Sequence, residues 1–281
     1  MAASRITTQR GFTIIEIVVT ILVSSILAVG IVGYIGDAIE GFAASGNRNK
    51  LATNGRVVVD RIAMELHNAV PNSVRVTTAQ AGGDQCLEFM PFFGATSYID
   101  APFTGGGGTE FDAIDFNPEL ILASPADVHA VIYPINTQGL YDGGSPGPRA
   151  LVDEIEDTGG ADGKVTITLD ATHRFSRRSP VQRFYVADEP VSFCVVGQQL
   201  FRYQAYDFQS TQCTPSTPAC LPTTAPDRQL ISQSIDNTGL SAFEIIPGTL
   251  RRNAIVSMDF NFTEVGDVVR LKHEVLMRNV P

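Results

Sequence analysis

Residues 17–36 read IVVTILVSSILAVGIVGYIG, 20 positions without a charge. At about 1.5 Å per residue this run matches a hydrocarbon core of about 30 Å, and it predicts a membrane-crossing helix. The apolar pattern then narrows to a stripe. Leu51, Val58, Ile62, Leu66 and Ala69 recur at spacings of seven, four, four and three, one face of an amphipathic helix. Arg56/Asp60 and Arg61/Glu65 are opposite charges four apart, as on a solvated helix exterior. Pro71 ends the pattern, because the residue before proline is pushed out of the helical region. The whole reads as one helix over roughly 12–70, with "GFAASGNRN" (41–49) a weak stretch where it can bend or loosen.

From residue 73 the period changes to two. "KVTITL" sets Val165, Ile167 and Leu169 against Lys164, Thr166 and Thr168, and "VSMDFNF" turns Val256, Met258, Phe260 and Phe262 inward. "VVRLKHEVLM" aligns Val269, Leu271, Val275 and Met277, with His273 the odd member of that face. Further strands are expected at 73–78, 86–92, 129–133, 181–187, 192–196 and 199–205. Turns are expected at "GGGG" (105–108), "DGGSPGP" (142–148) and "DTGGADGK" (157–164). The fold class is α+β: a long N-terminal helix packed against a β-rich head of antiparallel strands.

Composition narrows the function classes. A net charge of −10 and the absence of a basic patch argue against nucleic-acid binding. The most basic stretch is "RFSRRSPVQR" (174–183). Ahead of the apolar run, Arg5 and Arg10 stand without an acid, so the N-terminus is expected in the cytoplasm and the acidic remainder outside it. The run is longer than a secretory signal's apolar region of about 7–15 residues, and no A-x-A-like site follows it, so it is expected to stay in the mature chain. Four cysteines, Cys86, Cys194, Cys213 and Cys220, follow the membrane run, and in an oxidising compartment they suggest two disulfides. Cys213 and Cys220 bracket "TPSTPA", a short loop a bridge would pin, which leaves Cys86 for Cys194 among the three possible pairings.

Enzyme and metal motifs lack their context. "GGSPG" (143–147) matches G-x-S-x-G around Ser145, but a nucleophile elbow needs a strand before and a helix after. His67, His129, His173 and His273 are scattered, with no metal-binding spacing. Asp157 and Asp162 in "DTGGADG" lack the remaining ligands of a calcium loop. "GGGG" lacks the Lys-Ser/Thr of a phosphate loop. No catalytic residue, metal or cofactor is expected.

One acid sits just inside the apolar run. An ionised carboxylate there costs about 2.5–3.5 kcal/mol on insertion scales, so Glu16 marks a function. "RGFTIIE" (10–16) resembles the type IV prepilin signature: a basic leader, Gly, Phe, and Glu four residues on, then an apolar helix. The resemblance implies that a membrane prepilin peptidase removes the leader 1–11 by cutting after Gly11, and methylates the new amine of Phe12. It implies a filament-core helix at 12–36, an amphipathic second half at 37–70 and a periplasmic or extracellular head at 71–281. Glu16 of one subunit is expected to meet the Phe12 amine of its neighbour, an ion pair that sets register. "MELHNAVPNSVRV" (64–76), "CLEFMPFFGATSYID" (86–100), "PVSFCV…GQQLFRY" (190–203) and "HEVLMRNVP" (273–281) are similar to minor pilins of MSHA-type pili, which serve surface attachment. Many major pilins carry a proline in the second half of the apolar run, where this chain has Gly33 within Gly30, Gly33 and Gly36. Implied partners are the prepilin peptidase, other major and minor pilins, the inner-membrane pilus assembly platform and inner-membrane lipid. The implied location is the inner membrane, single-pass, and then a cell-surface pilus. A type II secretion minor pseudopilin of the J type shares these features, and a membrane-anchored periplasmic enzyme or binding protein is the reading from another class.

Overall fold

The computed structural model of the chain describes residues 11–80, 84–115, 128–157, 163–215, 220–247, 253–264 and 266–277. Helix α1 runs Ile14–His67, and the expected loosening at 41–49 does not occur: those residues are helical throughout. The chain divides into two compact units, Met1–Lys50 and Leu51–Pro281.

Over residues 17–36 of the first unit the helix is apolar on every side. Ile14, Val18, Leu22, Val29 and Val32 are all exposed, as are the residues between them. A helix apolar all round needs lipid or other protein around it. Two of its hydroxyls bond within the helix, Thr20 Oγ1 donating to the Ile17 carbonyl (2.8 Å) and Ser25 Oγ to that of Ile21 (2.7 Å).

The second unit begins with the striped half of α1. Leu51, Val58, Ile62 and Leu66 are buried together with Leu87, Phe193, Phe243, Met258 and Phe260 from two sheets. One is five-stranded, in the order β1-β2-β9-β10-β11, from β1 (Arg75–Val76), β2 (Gln85–Phe89), β9 (Val191–Val196), β10 (Gln199–Tyr203) and β11 (Arg228–Ser232). The other is three-stranded, from β12 (Phe243–Ile246), β13 (Ile255–Glu264) and β14 (Asp267–Leu276). The Gln85 side chain joins them: Nε2 donates to the Phe243 carbonyl (2.9 Å) and Oε1 accepts the Phe243 N–H (3.0 Å), so a buried amide stands in for a ladder rung.

Gly55 sets how closely the helix lies on β13 and β14. A Cβ there would stand 2.4 Å from Leu271 Cδ1 and 2.8 Å from the Phe262 ring. Gly55→Ala gains about 1 kcal/mol of helix propensity but overpacks this contact by about 1–3 kcal/mol. Net destabilisation is expected, read as a lower denaturation midpoint, whereas Gly46→Ala, with nothing within 4 Å of its added carbon, should be neutral or stabilising.

The remaining strands form a third sheet of six, in the order β3-β8-β5-β6-β7-β4. They are β3 (Phe92–Ser97), β4 (Gly108–Ile114), β5 (His129–Ile132), β6 (Arg149–Asp157), β7 (Lys164–His173) and β8 (Arg183–Ala187). The sheet curls until its two end strands meet. Tyr98 bridges Ala113, and the Ile99 N–H donates to the Asp112 carbonyl (2.7 Å), closing a barrel around Phe111, Ile167, Phe175 and Phe184. This barrel is an insertion. β2 and β9 are antiparallel neighbours in the five-stranded sheet, and everything between them leaves and returns through β3 and β8, which pair with each other. A short helix α2 (Thr137–Asp142), capped by Asn136 Oδ1 accepting the Gly139 N–H (2.7 Å), lies between β5 and β6.

Against the sequence reading, α1 stops at His67 rather than near 70, and the strand expected at 73–78 shrinks to two residues. Strands β3, β4, β6, β11 and β12 and helix α2 are additions. The calcium candidate Asp162 and the terminal Arg278–Pro281 lie outside the described residues.

Candidate assembly segment and the polar core of the head

Gly11, Phe12 and Thr13 precede α1 in non-helical backbone. Phe12 is 78% exposed and nothing lies within 4 Å of the Gly11 Cβ position, so the Gly11–Phe12 peptide is open in the single chain. Thr13 starts the helix. Its Oγ1 accepts the Glu16 N–H (3.3 Å), and Glu16 Oε2 accepts the Thr13 N–H (3.5 Å). This reciprocal pair is a capping box. The carboxylate is thereby drawn back over the first turn, where the exposed N–H groups and the helix dipole favour negative charge. Singling out Glu16 alone missed Thr13; the signal was present in the T-x-x-E spacing of "TIIE". Downstream, Gly30, Gly33 and Gly36 have no atom within 4 Å of their Cβ positions, and that face is open in the single chain.

The four cysteines pair as Cys86–Cys194 and Cys213–Cys220. Cys86 and Cys194 are directly opposed on β2 and β9, so the first bridge ties the two strands between which the barrel is inserted.

Beside that bridge lies a buried polar network. Glu88 on β2 is fully buried; its carboxylate meets Arg75 Nε on β1 and accepts the Tyr206 hydroxyl (3.0 Å). With that proton committed, Ser192 Oγ donates to Tyr206 Oη (2.8 Å). The Arg75 guanidinium also donates to the carbonyls of Gln209 (2.7 Å) and Ser210 (3.0 Å) and lies 3.6 Å over the Tyr141 ring of α2. Desolvation pushes the Glu88 carboxyl above its ordinary range, opposed by Arg75 and then by the Tyr206 hydroxyl. The network ties the 206–210 loop, α2 and the five-stranded sheet into one piece. None of its members carried a motif in the sequence, because they converge from segments far apart.

The structure does not gather the other candidates. Ser145 lies between α2 and β6, the reverse of strand–turn–helix order, and its Oγ accepts the Arg174 N–H (3.0 Å). His67 and His273 are exposed; His129 is buried against the Phe208 ring. His173 Nε2 lies 3.1 Å from the Gly147 carbonyl, and burial lowers its pKa. Among the described residues, no three His, Cys, Asp or Glu side chains are placed to hold a metal.

The prokaryotic N-terminal methylation motif matches residues 6–32, covering Gly11, Phe12, Thr13, Glu16 and most of the apolar run. The N-terminus is type IV pilin-like. The pilin-like segment is consistent with processing by a prepilin peptidase and with contact to other pilins. Its helix is the single helix among the described residues long and apolar enough to cross a membrane, and it fits a single-pass anchor. Neither a curated protein nor a solved structure matches the chain.

Proposed function

We propose that this protein is a minor, MshO-like subunit of a type IV pilus of the MSHA type, processed at Gly11, methylated at Phe12, and drawn from the inner membrane into a filament that serves surface attachment. The observation that carries this reading is the methylation motif on a helix whose apolar surface is exposed on every side. Such a helix has two stable settings, lipid before assembly and the packed helices of a filament after it. The head supports a structural rather than an enzymatic role: its most elaborate polar arrangement, around Glu88, is closed and internally satisfied instead of facing a substrate.

Mass spectrometry of the membrane-extracted protein tests the processing. The mature chain is expected to begin with N-methylated Phe12. Loss of Arg5 and Arg10 takes Lys+Arg from 20 to 18 against 30 acids, so the net charge moves from −10 to −12. An intact Met1, or cleavage beyond residue 36, would overturn the reading. Recovery of the protein in sheared surface filaments supports the pilus over a secretion pseudopilus, which stays within the envelope.

A further inference from the structure

A cleft of about 500 Å³ opens where the inserted barrel leaves the rest of the head. Glu65 from the end of α1, Asp188 and Glu189 from the β8–β9 link and Asp227 before β11 line it, with Arg202 the one cation among the lining residues. Four acids against one base give a charge of −3, and Arg202 Nε is already engaged by Glu65 Oε2 at 2.9 Å. Phe92, Phe93 and Val191 supply an apolar wall, and Phe93 is 45% exposed.

The opposite end of the barrel carries the complement. The link from β7 to β8 holds Arg174, Arg177 and Arg178, and Arg183 opens β8, with no acid between residues 171 and 187. Its shape is fixed from beneath. Buried Ser179 Oγ accepts the N–H of Arg183 (3.2 Å), and the Tyr98 hydroxyl accepts the N–H of Ser179 (3.0 Å). Arg177 and Arg178 are exposed, Arg178 with its guanidinium 4.8 Å over the Phe103 ring, and Val181 nearby in the chain is 53% exposed. The β3–β8 ladder connects the two patches: Phe92 pairs with Ala187 at the cleft end, and Ser97 with Arg183 at the loop end. The five residues of β8 place the patches about 17 Å apart along one strand.

From this arrangement we infer that the cleft receives the Arg177–Val181 loop of a second copy of this chain. The inference rests on the filament-subunit reading and names one partner within it. Guanidinium groups would meet the acidic rim while Val181 and the arginine stems cover the Phe93 wall. Because donor and acceptor patches lie at opposite ends of one strand, the contact is heterologous: each copy that docks presents a fresh cleft or a fresh loop, and the series runs on instead of closing as a pair. A net charge of −12 on each processed copy (18 basic against 30 acidic residues) does not forbid this, since repulsion beyond about 8 Å is screened at physiological salt. A minor subunit built this way occupies consecutive positions instead of being scattered singly.

Charge reversal on each side tests it, using the full chain in zwitterionic detergent micelles and sedimentation velocity. The wild type is expected to associate in a concentration-dependent, salt-sensitive manner. R177E/R178E and, separately, E189K/D227K should each associate about tenfold or more weakly, since like charges then face one another. Mixing the two variants should restore association, because the reversed loop of one fits the reversed cleft of the other. Near-native circular dichroism and intact disulfides establish that each variant folds. A monomeric wild type, association unaffected by either reversal, or no recovery on mixing would overturn the inference. The pilin reading fails on different grounds, if the protein is absent from sheared filaments or lacks N-methylated Phe12.

Discussion

Glu16→Gln is expected to yield a processed, folded, membrane-resident protein that does not enter filaments. The capping box makes glutamine the informative replacement. Its side-chain oxygen still accepts the Thr13 N–H and its backbone N–H still reaches Thr13 Oγ1, so the start of the helix is preserved and only the charge is lost. In a filament core the Phe12 amine of the neighbouring subunit then has no counter-charge. Leaving one partner of a buried ion pair alone costs about 3–5 kcal/mol. At 1.4 kcal/mol per factor of ten, that lowers incorporation by about a hundredfold or more. On the proposed pilin reading cleavage after Gly11 comes before assembly and should survive, and the head, built from residues beyond 50, should keep its stability. Quantifying the protein in sheared filaments against the membrane fraction checks the expectation. Wild-type incorporation of Glu16→Gln, or a defect confined to processing, would show that the carboxylate is there for the cap and not for the neighbour. Glu16→Ala removes cap and charge together and cannot separate the two.

The second large effect is expected in the head. Glu88→Leu removes both the acceptor of the Tyr206 hydroxyl and the partner of the Arg75 guanidinium, and leaves two buried polar groups unsatisfied. The expected loss is about 3–5 kcal/mol, a large share of the 5–15 kcal/mol that holds a typical domain. Thermal or denaturant unfolding of the full chain in micelles reads it. Replacing both partners, Arg75→Met with Glu88→Leu, should cost less than Glu88→Leu alone, because it removes the desolvated groups together. The pH dependence follows from the raised folded-state pKa of Glu88. Its contribution is complete below the ordinary value of 4.5 and is lost as pH rises through the higher folded value. Wild-type stability should therefore carry a falling component above pH 4.5 that Glu88→Gln lacks. Identical slopes in the two proteins would mean that Glu88 is not the group titrating.

The parts of this fold that repeat a simple period could be read from the chain. The stripe from Leu51 to Ala69 is buried as expected, and Val165, Ile167 and Leu169 on β7 and Val256 to Phe262 on β13 face the core. Three of the strands that escaped notice, β3, β4 and β6, break the period. Pairing of β3 with β8 shifts register between Phe92 and Gly94, β4 shifts between Gly108 and Glu110, and β6 shifts between Val152 and Glu154. Each irregularity moves the following side chains to the other face, and alternation fades. β4 also begins within the glycine run that suggested only a turn. Closure of the barrel and the meeting of Arg75 with Glu88 depend on tertiary contacts and leave no local trace. At the N-terminus the reverse holds: the "TIIE" cap and the acid in the apolar run are both local, and both are visible in a few letters.

The inserted barrel also sets an order of events for a chain delivered N-terminus first. When β2 emerges, its partner β9 lies beyond more than a hundred residues still to come, since Cys86 and Cys194 are 108 apart. Closing so long a span by chance is entropically unfavourable. The barrel strands find partners within their own module, and because β3 and β8 pair, completing the barrel delivers Pro91 and Asp188 side by side, with the Asp188 N–H donating to the Pro91 carbonyl (2.9 Å). β2 and β9 are then handed to each other already in register. In refolding with quenched thiols, the Cys213–Cys220 bridge, which spans 7 residues, should close early, and Cys86–Cys194 only once the barrel has formed. The insertion thus acts as a clasp: the five-stranded sheet beside α1 is expected to be completed after the module it carries has folded.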